Sequence, residues 1–569
     1  MAQGTLIKDS YTANEGSVFP GTGREYQIYL PAGFDKSRPA HFMVFQDGVI
    51  YKAPVVFDNL IAKKDIPPLV GIFIKPGVVP AANDNALPRF NRSYEYDSIT
   101  DTYSTFLIDE FLPAIEKKHG LQLSRDPNHA AISGNSSGGI CAFMVAWHRP
   151  DRFRRVFTGV GTYVGIHGAD QLPVLVRKFE PKPLRIFLQS GTGDNNLYCG
   201  DWWMANQMME RSLTWAGYDV NHAWGEGGHN QKHASQIFPD VLRWLWRDWL
   251  TDIEVKANPK GESKWKGYEV VEAALDGWKK LDEQTHVRSY HISPSIDGHV
   301  FALDFTIDEW KLTEFFPTGG SVQSESQRST SGIRALNETM IIATKQGDSD
   351  HNFVELRDLR SNTPVATTAI SGGDSWSWIS DFVVAKGGLF ILSQGGDQLM
   401  TIQHGISKVF NLPSHNICGR AFRLALSPDQ TTLYATDRLF SQVSSFTVDQ
   451  SGSISHSQLY ARLDTWPGNE GRVETKEGGL EAFKERGLCV DTEGRLYVAT
   501  SLGIQVCDQA GRVNFIIPTL KPPLDVCFGG KDLSELFIAC GDAIYKRPMK
   551  VRGVVSGQQA PIKPAAPKL

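Results

Sequence analysis

The stretch ISGNSSGGICAF, residues 132–143, sets Ser136 between Gly134 and Gly138 in the pattern G-x-S-x-G. An apolar run, HAAIS, ends immediately before it, and a helical run, GGICAFMVAWHR, begins immediately after. A strand that turns sharply into a helix forces its central residue into a strained conformation, so its neighbours must be small. The central hydroxyl then stands above the sheet edge at a helix N-terminus, whose N–H groups favour developing negative charge. This is a setting for a serine nucleophile. Ser133 and Ser137 are competing hydroxyls, but neither is centred between the glycines.

A serine hydroxyl needs a base, and the base needs an acid to orient it. For a nucleophile on such an elbow the chain order is Ser, acid, His. The strand-like run LRIFLQSG ends in TGDNN, which places Asp194 on the following loop. A helical run, WWMANQMMERSLTWAG, and a strand-like run, YDVNHAW, come next, and GEGGHNQKH then puts His229 on a Gly-rich loop. The triad expected is Ser136, Asp194 and His229. Alternatives are His233, one helical turn on, and His222 on the strand for the base, and Asp201 or Glu226 for the acid. The oxyanion hole is expected from backbone N–H groups: that of Ser137, and that of Asp47 or Gly48 after HFMVFQ. Trp202, Trp203 and Trp224, near the proposed acid and base, suggest a pocket that stacks a ring, or else pack helix on sheet.

The elements that must position these residues alternate up to about residue 250. HFMVFQDG (41–48) and LVGIFIKPG (69–77) are apolar runs ended by Gly and read as buried strands. SITDTYSTFLIDEFLPAIEKKHG carries apolar residues at helical spacing and stops at Gly120, and QIFPDVLRWLWRDWL reads as an amphipathic helix. Such alternation implies a mostly parallel sheet covered by helices. A charged, Pro- and Gly-containing stretch, TDIEVKANPKGESKWKG, reads as a linker.

Beyond about residue 285 a short motif recurs instead: VFALD at 300–304, MIIAT at 340–344, LFILS at 389–393, LYATD at 433–437, LYVAT at 496–500 and LFIAC at 536–540. A strand-rich unit repeated every ~40–50 residues is a propeller blade. The expected organisation is therefore multidomain: an α/β domain with a parallel sheet over 1–250, a linker over 251–285, an all-β six-bladed propeller over 286–550, and a disordered Pro- and Lys-rich tail over 551–569. One long interval holds DTWPGNEGRVETKEGGLEAFKERG, expected as a surface loop.

Composition narrows the function classes. The 569-residue chain is too long for one core. A net charge of −5 gives no electrostatic reason to bind nucleic acid or an anionic membrane. No apolar run approaches the ~20 residues that span a bilayer, and the start, MAQGTLIKDSYT, lacks the apolar region of a signal peptide. The seven Cys include no CxxC pair, so buried free thiols are expected rather than zinc or a redox dithiol.

FQDG (45–48), FLIDEFLPAIE (106–116), SGNSSGG (133–139) and GEGGHN (225–230) together resemble the esterase family that includes enterochelin esterases, esterase D and the feruloyl and acetyl carbohydrate esterases. The resemblance covers roughly residues 20–250. It implies an α/β-hydrolase fold and serine ester hydrolysis without metal or cofactor, with Ser136, Asp194 and His229 as the triad. NRSYEYD (91–97) matches a family stretch, so Arg92, Tyr94 and Glu95 either line the pocket or form a structural ion pair.

LALSPDQTTLYATD, GLCVDTEGRLYVATSLGIQVCDQAGRV and CFGGKDLSELFIA resemble the gluconolactonase/regucalcin propellers, over about residues 285–550. Those bind a divalent cation on the axis through a Glu, an Asn and an Asp, with a second Asn touching substrate. Here the ligand positions fall on Ile292, Phe422 and Arg486, and the second Asn falls near Ser380. The resemblance thus implies a metal-free propeller acting as an accessory domain. The leading expectation is a serine esterase acting on a small-molecule or carbohydrate ester, with no cofactor. The alternatives are a metal-dependent lactonase in the propeller, or a lactone or macrolactone hydrolase using the same triad.

Overall fold

The computed structural model describes residues 3–566 apart from 256–262, 272–276, 282–288, 306–309, 327–329, 337–339, 347–351, 359–360, 362, 371–378, 394–396, 404–405, 413–420, 438–440, 467–471, 475–479, 483–486 and 542. The chain divides into two compact units, 1–177 with 181–265 and 178–180 with 266–569.

The first unit is built on one sheet. Its strands are β1 (Thr5–Thr12), β2 (Gly23–Leu30), β3 (His41–Gln46), β4 (Leu69–Ile74), β5 (Val78–Val79), β6 (Arg89–Phe90), β7 (Ala130–Asn135), β8 (Arg155–Gly159) and β9 (Arg185–Gly193). A separate hairpin, β10 (Asn196–Leu197) with β11 (Gly200–Asp201), precedes the last sheet strand, β12 (Asp219–Gly228). The order is β12-β9-β8-β7-β3-β4-β2-β5-β6, with β1 on β2. From β12 across to β4 every pairing is parallel, so the C-terminal ends of β3, β7, β9 and β12 share one edge. β4, β7 and β8 are buried along their whole length and β3 from Phe42 onward, as strands covered by helices on both faces must be.

The helices are α1 (Ala53–Ala62), α2 (Arg92–Tyr96), α3 (Thr102–Thr105), α4 (Leu112–His119), α5 (Ser137–His148), α6 (Leu172–Lys178), α7 (Trp202–Ala216) and α8 (Lys232–Leu245). On α8 the residues Ala234, Phe238, Val241, Leu242 and Leu245 make one buried stripe that meets Phe45, Phe57 and Phe157 in the core. α7 starts at Asp201, whose carboxylate accepts the Met204 N–H at 3.0 Å, and stops at Gly217 in the left-handed region. The helix expected up to Gly120 is interrupted by a wide turn over Phe106–Phe111. Pro113 has no N–H to return to the Asp109 carbonyl, which accounts for the register change just ahead of it.

The second unit is a β-propeller of four-stranded antiparallel sheets. Each recurring motif lies on the second strand of its sheet: Val300–Phe305, Met340–Gln346, Gly388–Ser393, Thr432–Asp437, Leu496–Thr500 and Glu535–Ala539. The first strands, Ser289–Pro294, Thr330–Ala335, Ile379–Ala385, Ala421–Leu426, Leu488–Val490 and Asp525–Gly529, neighbour one another in turn, and the last returns to the first. Lys279–Lys280 closes the ring by adding a strand to Ile544–Pro548. The long interval contains a short hairpin, Arg472–Glu474 with Leu480–Ala482.

The tail departs from the disorder expected of it. Val554 N–H donates to Val490 O (3.2 Å), Ile562 N–H to Pro428 O (2.8 Å), and Gln558 Oε1 accepts the Ile296 N–H (2.7 Å). Its Pro-rich composition forbids a strand ladder of its own, but not hydrogen bonds donated to or taken from strand ends that the ring already exposes.

Candidate active site

Ser136 sits at φ 59°, ψ −123°, between β7 and α5. Of the glycines around it, Gly134 is sterically required and Gly138 is closely hemmed in. A Cβ on Gly134 would lie 2.1 Å from the Gly138 carbonyl oxygen, and one on Gly138 would lie 3.0 Å from Asp47 Oδ2. From beneath, the Tyr51 hydroxyl donates to Gly134 O at 3.1 Å.

Parallel pairing carries two further loops to the same edge. Beyond β9, Asp194 is held by the Ser190 hydroxyl on Oδ2 (2.6 Å) and the Asn195 N–H on Oδ1 (2.8 Å), and its side chain is fully buried. Beyond β12 lies His229, after a bulge between Gly225 and Gly228. His229 Nδ1 is 2.6 Å from Asp194 Oδ1, and its Nε2 is 2.7 Å from Ser136 Oγ. An acceptor carboxylate on Nδ1 selects the tautomer with its proton there and its lone pair on Nε2, facing the serine. The Trp202 ring meets the His229 imidazole edge to face at 5.6 Å, and its Nε1 donates to Thr162 Oγ1, itself 3.4 Å from Ser136 Oγ.

The other candidates lie elsewhere. His233 packs its ring under Gly225 and meets Gln189 at 3.2 Å. His222 stacks on Trp224 at 4.6 Å, Asp201 caps α7, and Glu226 is exposed. Trp203 and Trp224 contact each other at 5.4 Å where α7 covers the edge strand β12, so they pack helix on sheet rather than joining the three side chains. Tyr94 is exposed and its ring meets Phe19, while Glu95 is buried and paired with Arg24 at 2.9 and 3.1 Å.

The loop after β3 is more constrained than its sequence suggests. Gly48 N–H donates to Ile74 O at 3.1 Å, which removes it as an oxyanion donor. The N–H groups of Asp47 and Ser137 meet no acceptor among the described residues. Asp47 adopts φ 66°, and both its oxygens bind Arg92 at 2.8 Å. Thr162, Ser190 and Tyr51 were not singled out from sequence. Thr162 follows the Gly159–Gly161 turn after β8, whose two glycines were the available signal.

With this geometry in place, the comparisons with known proteins are consistent in both units. Residues 17–233 match the family described as "Putative esterase", and residues 388–541 match the "SMP-30/Gluconolactonase/LRE-like region". The chain thus carries an esterase-family domain followed by a gluconolactonase-like propeller. It is 30% identical over 152 residues to the iron(III) enterobactin esterase of Dickeya dadantii (strain 3937), covering 24% of this chain and 33% of that protein. It is 33% identical over 133 residues to regucalcin of Oryctolagus cuniculus, covering 21% of this chain and 40% of that protein. The matched stretches thus span less than half the length of either relative. Among solved structures, a calcium-binding regucalcin from Agrobacterium tumefaciens aligns at 15% identity with a TM-score of 0.38, over 49% of this chain and 95% of that one.

A regucalcin-like propeller raises the question of a divalent cation. Ile292 is a buried aliphatic residue and Ser380 is half-buried; Arg486 and the Phe422 side chain lie outside the described residues. Of the carboxylates near Ile292, Asp381 accepts Arg334 Nη2 on Oδ1 and the Leu424 N–H on Oδ2, each at 2.8 Å. Asp525 accepts the N–H groups of Val526 and Ile292, each at 2.9 Å. Carboxylates already paired with a guanidinium and with backbone donors do not fit a hard cation, which needs several free oxygens. Among the described residues no helix is long and apolar enough to cross a membrane, and six cysteines form no disulfide, three of them buried.

Proposed function

We propose that the first unit is a serine carboxylic-ester hydrolase. The observation that carries this reading is the continuous hydrogen-bonded path Ser136 Oγ–His229 Nε2 and His229 Nδ1–Asp194 Oδ1, at 2.7 and 2.6 Å. Ser136 Oγ attacks the acyl carbon as its proton passes to His229 Nε2. Negative charge gathers on the former carbonyl oxygen, which the Asp47 and Ser137 N–H groups receive, helped by the N-terminus of α5. His229 returns the proton to the departing alcohol, leaving an acyl-serine. Water then attacks that ester with His229 as base, and the acid is released. Asp194 stays ionised and keeps the imidazolium in place. The substrate is a small-molecule or carbohydrate ester.

In this reading each four-stranded sheet of the second unit is one blade, six in all, and the propeller is an accessory domain that shapes substrate access. The test is hydrolysis of a panel of aryl, acetyl-sugar and feruloyl esters by the full chain and by Ser136→Ala, with a serine-directed phosphonate as a covalent probe. Loss of turnover together with loss of labelling supports the proposal; unchanged hydrolysis by Ser136→Ala overturns it.

A further inference from the structure

The hydrogens around the Ser136 hydroxyl are fixed by their partners. His229 Nδ1 donates to Asp194 Oδ1, so Nε2 carries the lone pair and takes the Ser136 hydroxyl hydrogen at 2.7 Å. Ser136 Oγ therefore has only lone pairs to offer its second neighbour, Thr162 Oγ1, at 3.4 Å. Thr162 Oγ1 in turn meets Trp202 Nε1 at 3.2 Å. An indole N–H can only donate, so Thr162 accepts there. Its own hydrogen is left for Ser136 Oγ, since Thr162 Oγ1 meets no other polar group among the described residues.

The backbone fixes both donors in place. Thr162 N–H donates to Ser136 O at 3.2 Å, and Trp202 N–H donates to Asn195 O, next to Asp194, at 2.9 Å. Asn206 Nδ2 joins the two segments by binding Gly161 O and Trp202 O, each at 2.9 Å. Thr162 and Trp202 are both buried, which shields the Thr162 hydroxyl from bulk water.

We infer that Thr162 is a catalytic residue of the esterase site: its hydroxyl donates to Ser136 Oγ and stabilises that oxygen as it leaves the acyl carbon. This role presupposes the serine-hydrolase reading above, and adds a donor on the serine oxygen to those on the carbonyl oxygen. At rest, 3.4 Å is long for a pair of hydroxyls, so the bond holds the free serine only weakly. In the acyl-serine, Oγ is an ester oxygen whose lone pair is delocalised into the carbonyl, and it accepts more weakly still. Attack by water makes the acyl carbon tetrahedral and ends that delocalisation. The C–Oγ bond then breaks and its electron pair goes to Oγ. The proton that His229 took from water passes from Nε2 to Oγ, and Thr162 keeps its own proton throughout. The Thr162 bond tightens while charge passes through Oγ, so it is made chiefly in the transition state. Deacylation gains more from it than acylation does, because acylation starts from a serine hydroxyl that already accepts part of the bond.

The test is pre-steady-state hydrolysis of p-nitrophenyl acetate by the full-length protein and by Thr162→Val, which keeps the shape and removes the hydroxyl. The good leaving group makes acylation fast, so the nitrophenol burst reports acylation and the later rate reports deacylation. Deacylation should slow by about 10- to 100-fold. kcat and KM should fall together, while kcat/KM and the rate of phosphonate labelling stay within about threefold of wild type. Thr162→Ser, which keeps a hydroxyl, should restore deacylation. Thr162→Val leaves the Trp202 indole N–H without its acceptor, so the same substitution is also made in Trp202→Phe and compared with Trp202→Phe alone. The same slowing is expected, and this pair decides if Thr162→Val does not fold. The role is overturned by unchanged deacylation in these comparisons, or by failure of Thr162→Ser to restore it. Equal losses of acylation, deacylation and labelling also overturn it, because they would make Thr162 a packing residue only. Wild-type turnover by Ser136→Ala is a different failure: it overturns the serine-hydrolase reading itself, and this role with it.

Discussion

Arg92 and Asp47 are locked together by two parallel hydrogen bonds, Nε to Oδ1 and Nη2 to Oδ2, each of 2.8 Å. The same Nη2 lies 3.4 Å from Asn135 O, immediately before Ser136. Arg92 therefore ties the loop after β3 to the elbow after β7, and it neutralises a carboxylate that lies beside the proposed oxyanion hole.

Arg92→Ala should accordingly lower kcat by about 10- to 100-fold with little change in KM, because a misaimed oxyanion donor fails chiefly in the transition state. Arg92→Lys should recover part of the loss by keeping the charge. Steady-state kinetics on one aryl ester checks this; an effect confined to KM would place Arg92 in substrate binding instead.

Ser136→Ala and His229→Ala should each reduce turnover by about 10⁴-fold or more and leave the melting temperature nearly unchanged. His233→Ala should retain most of the activity, since its ring packs under Gly225, away from the serine. Kinetics of the three variants side by side tests the assignment of the base.

Arg24 and Glu95 form a fully buried ion pair at 2.9 and 3.1 Å, and Glu95 also accepts the Gly77 N–H at 3.1 Å. Arg24→Met strands a buried carboxylate and should cost about 3–5 kcal/mol. Replacing both residues by apolar ones of similar volume should restore most of that. Urea unfolding of the single and double variants measures the difference.

His41 packs against His129 at 4.0 Å, and its Nε2 is buried with no hydrogen-bond partner among the described residues. Burial, with the neighbouring His129 and Arg155 adding to it, pulls its pKa down from 6.5 to about 4. Between those values the unfolded chain binds a proton that the folded chain refuses, so stability falls as pH drops from 6.5 towards 4. His41→Phe should flatten that part of the melting-temperature profile and change little above pH 7.

The features legible in the residue order are those that local stereochemistry demands. A strained residue between a strand and a helix needs small neighbours within a turn, so Ser136 stood out from GNSSG. The order of strands and loops narrowed the acid and the base to a few candidates, of which the fold brings Asp194 and His229 into line with Ser136, and the repeated second-strand motif marked the propeller. The rest was decided by which strands lie side by side. β3 lies between β4 and β7 although long stretches of chain separate them: pairing with β4 leaves Gly48 bonded to Ile74, and pairing with β7 sets Asp47 beside the elbow, where Arg92 reaches both Asp47 and Asn135. Trp202, Trp203 and Trp224 look alike in sequence. The helical turn of α7 sends Trp202 to His229 and Trp203 to Trp224, because successive residues on a helix face different ways. The tail at 554–562 reads as disordered by composition, yet its hydrogen-bond partners are strand ends of a ring that exists only once the propeller has closed.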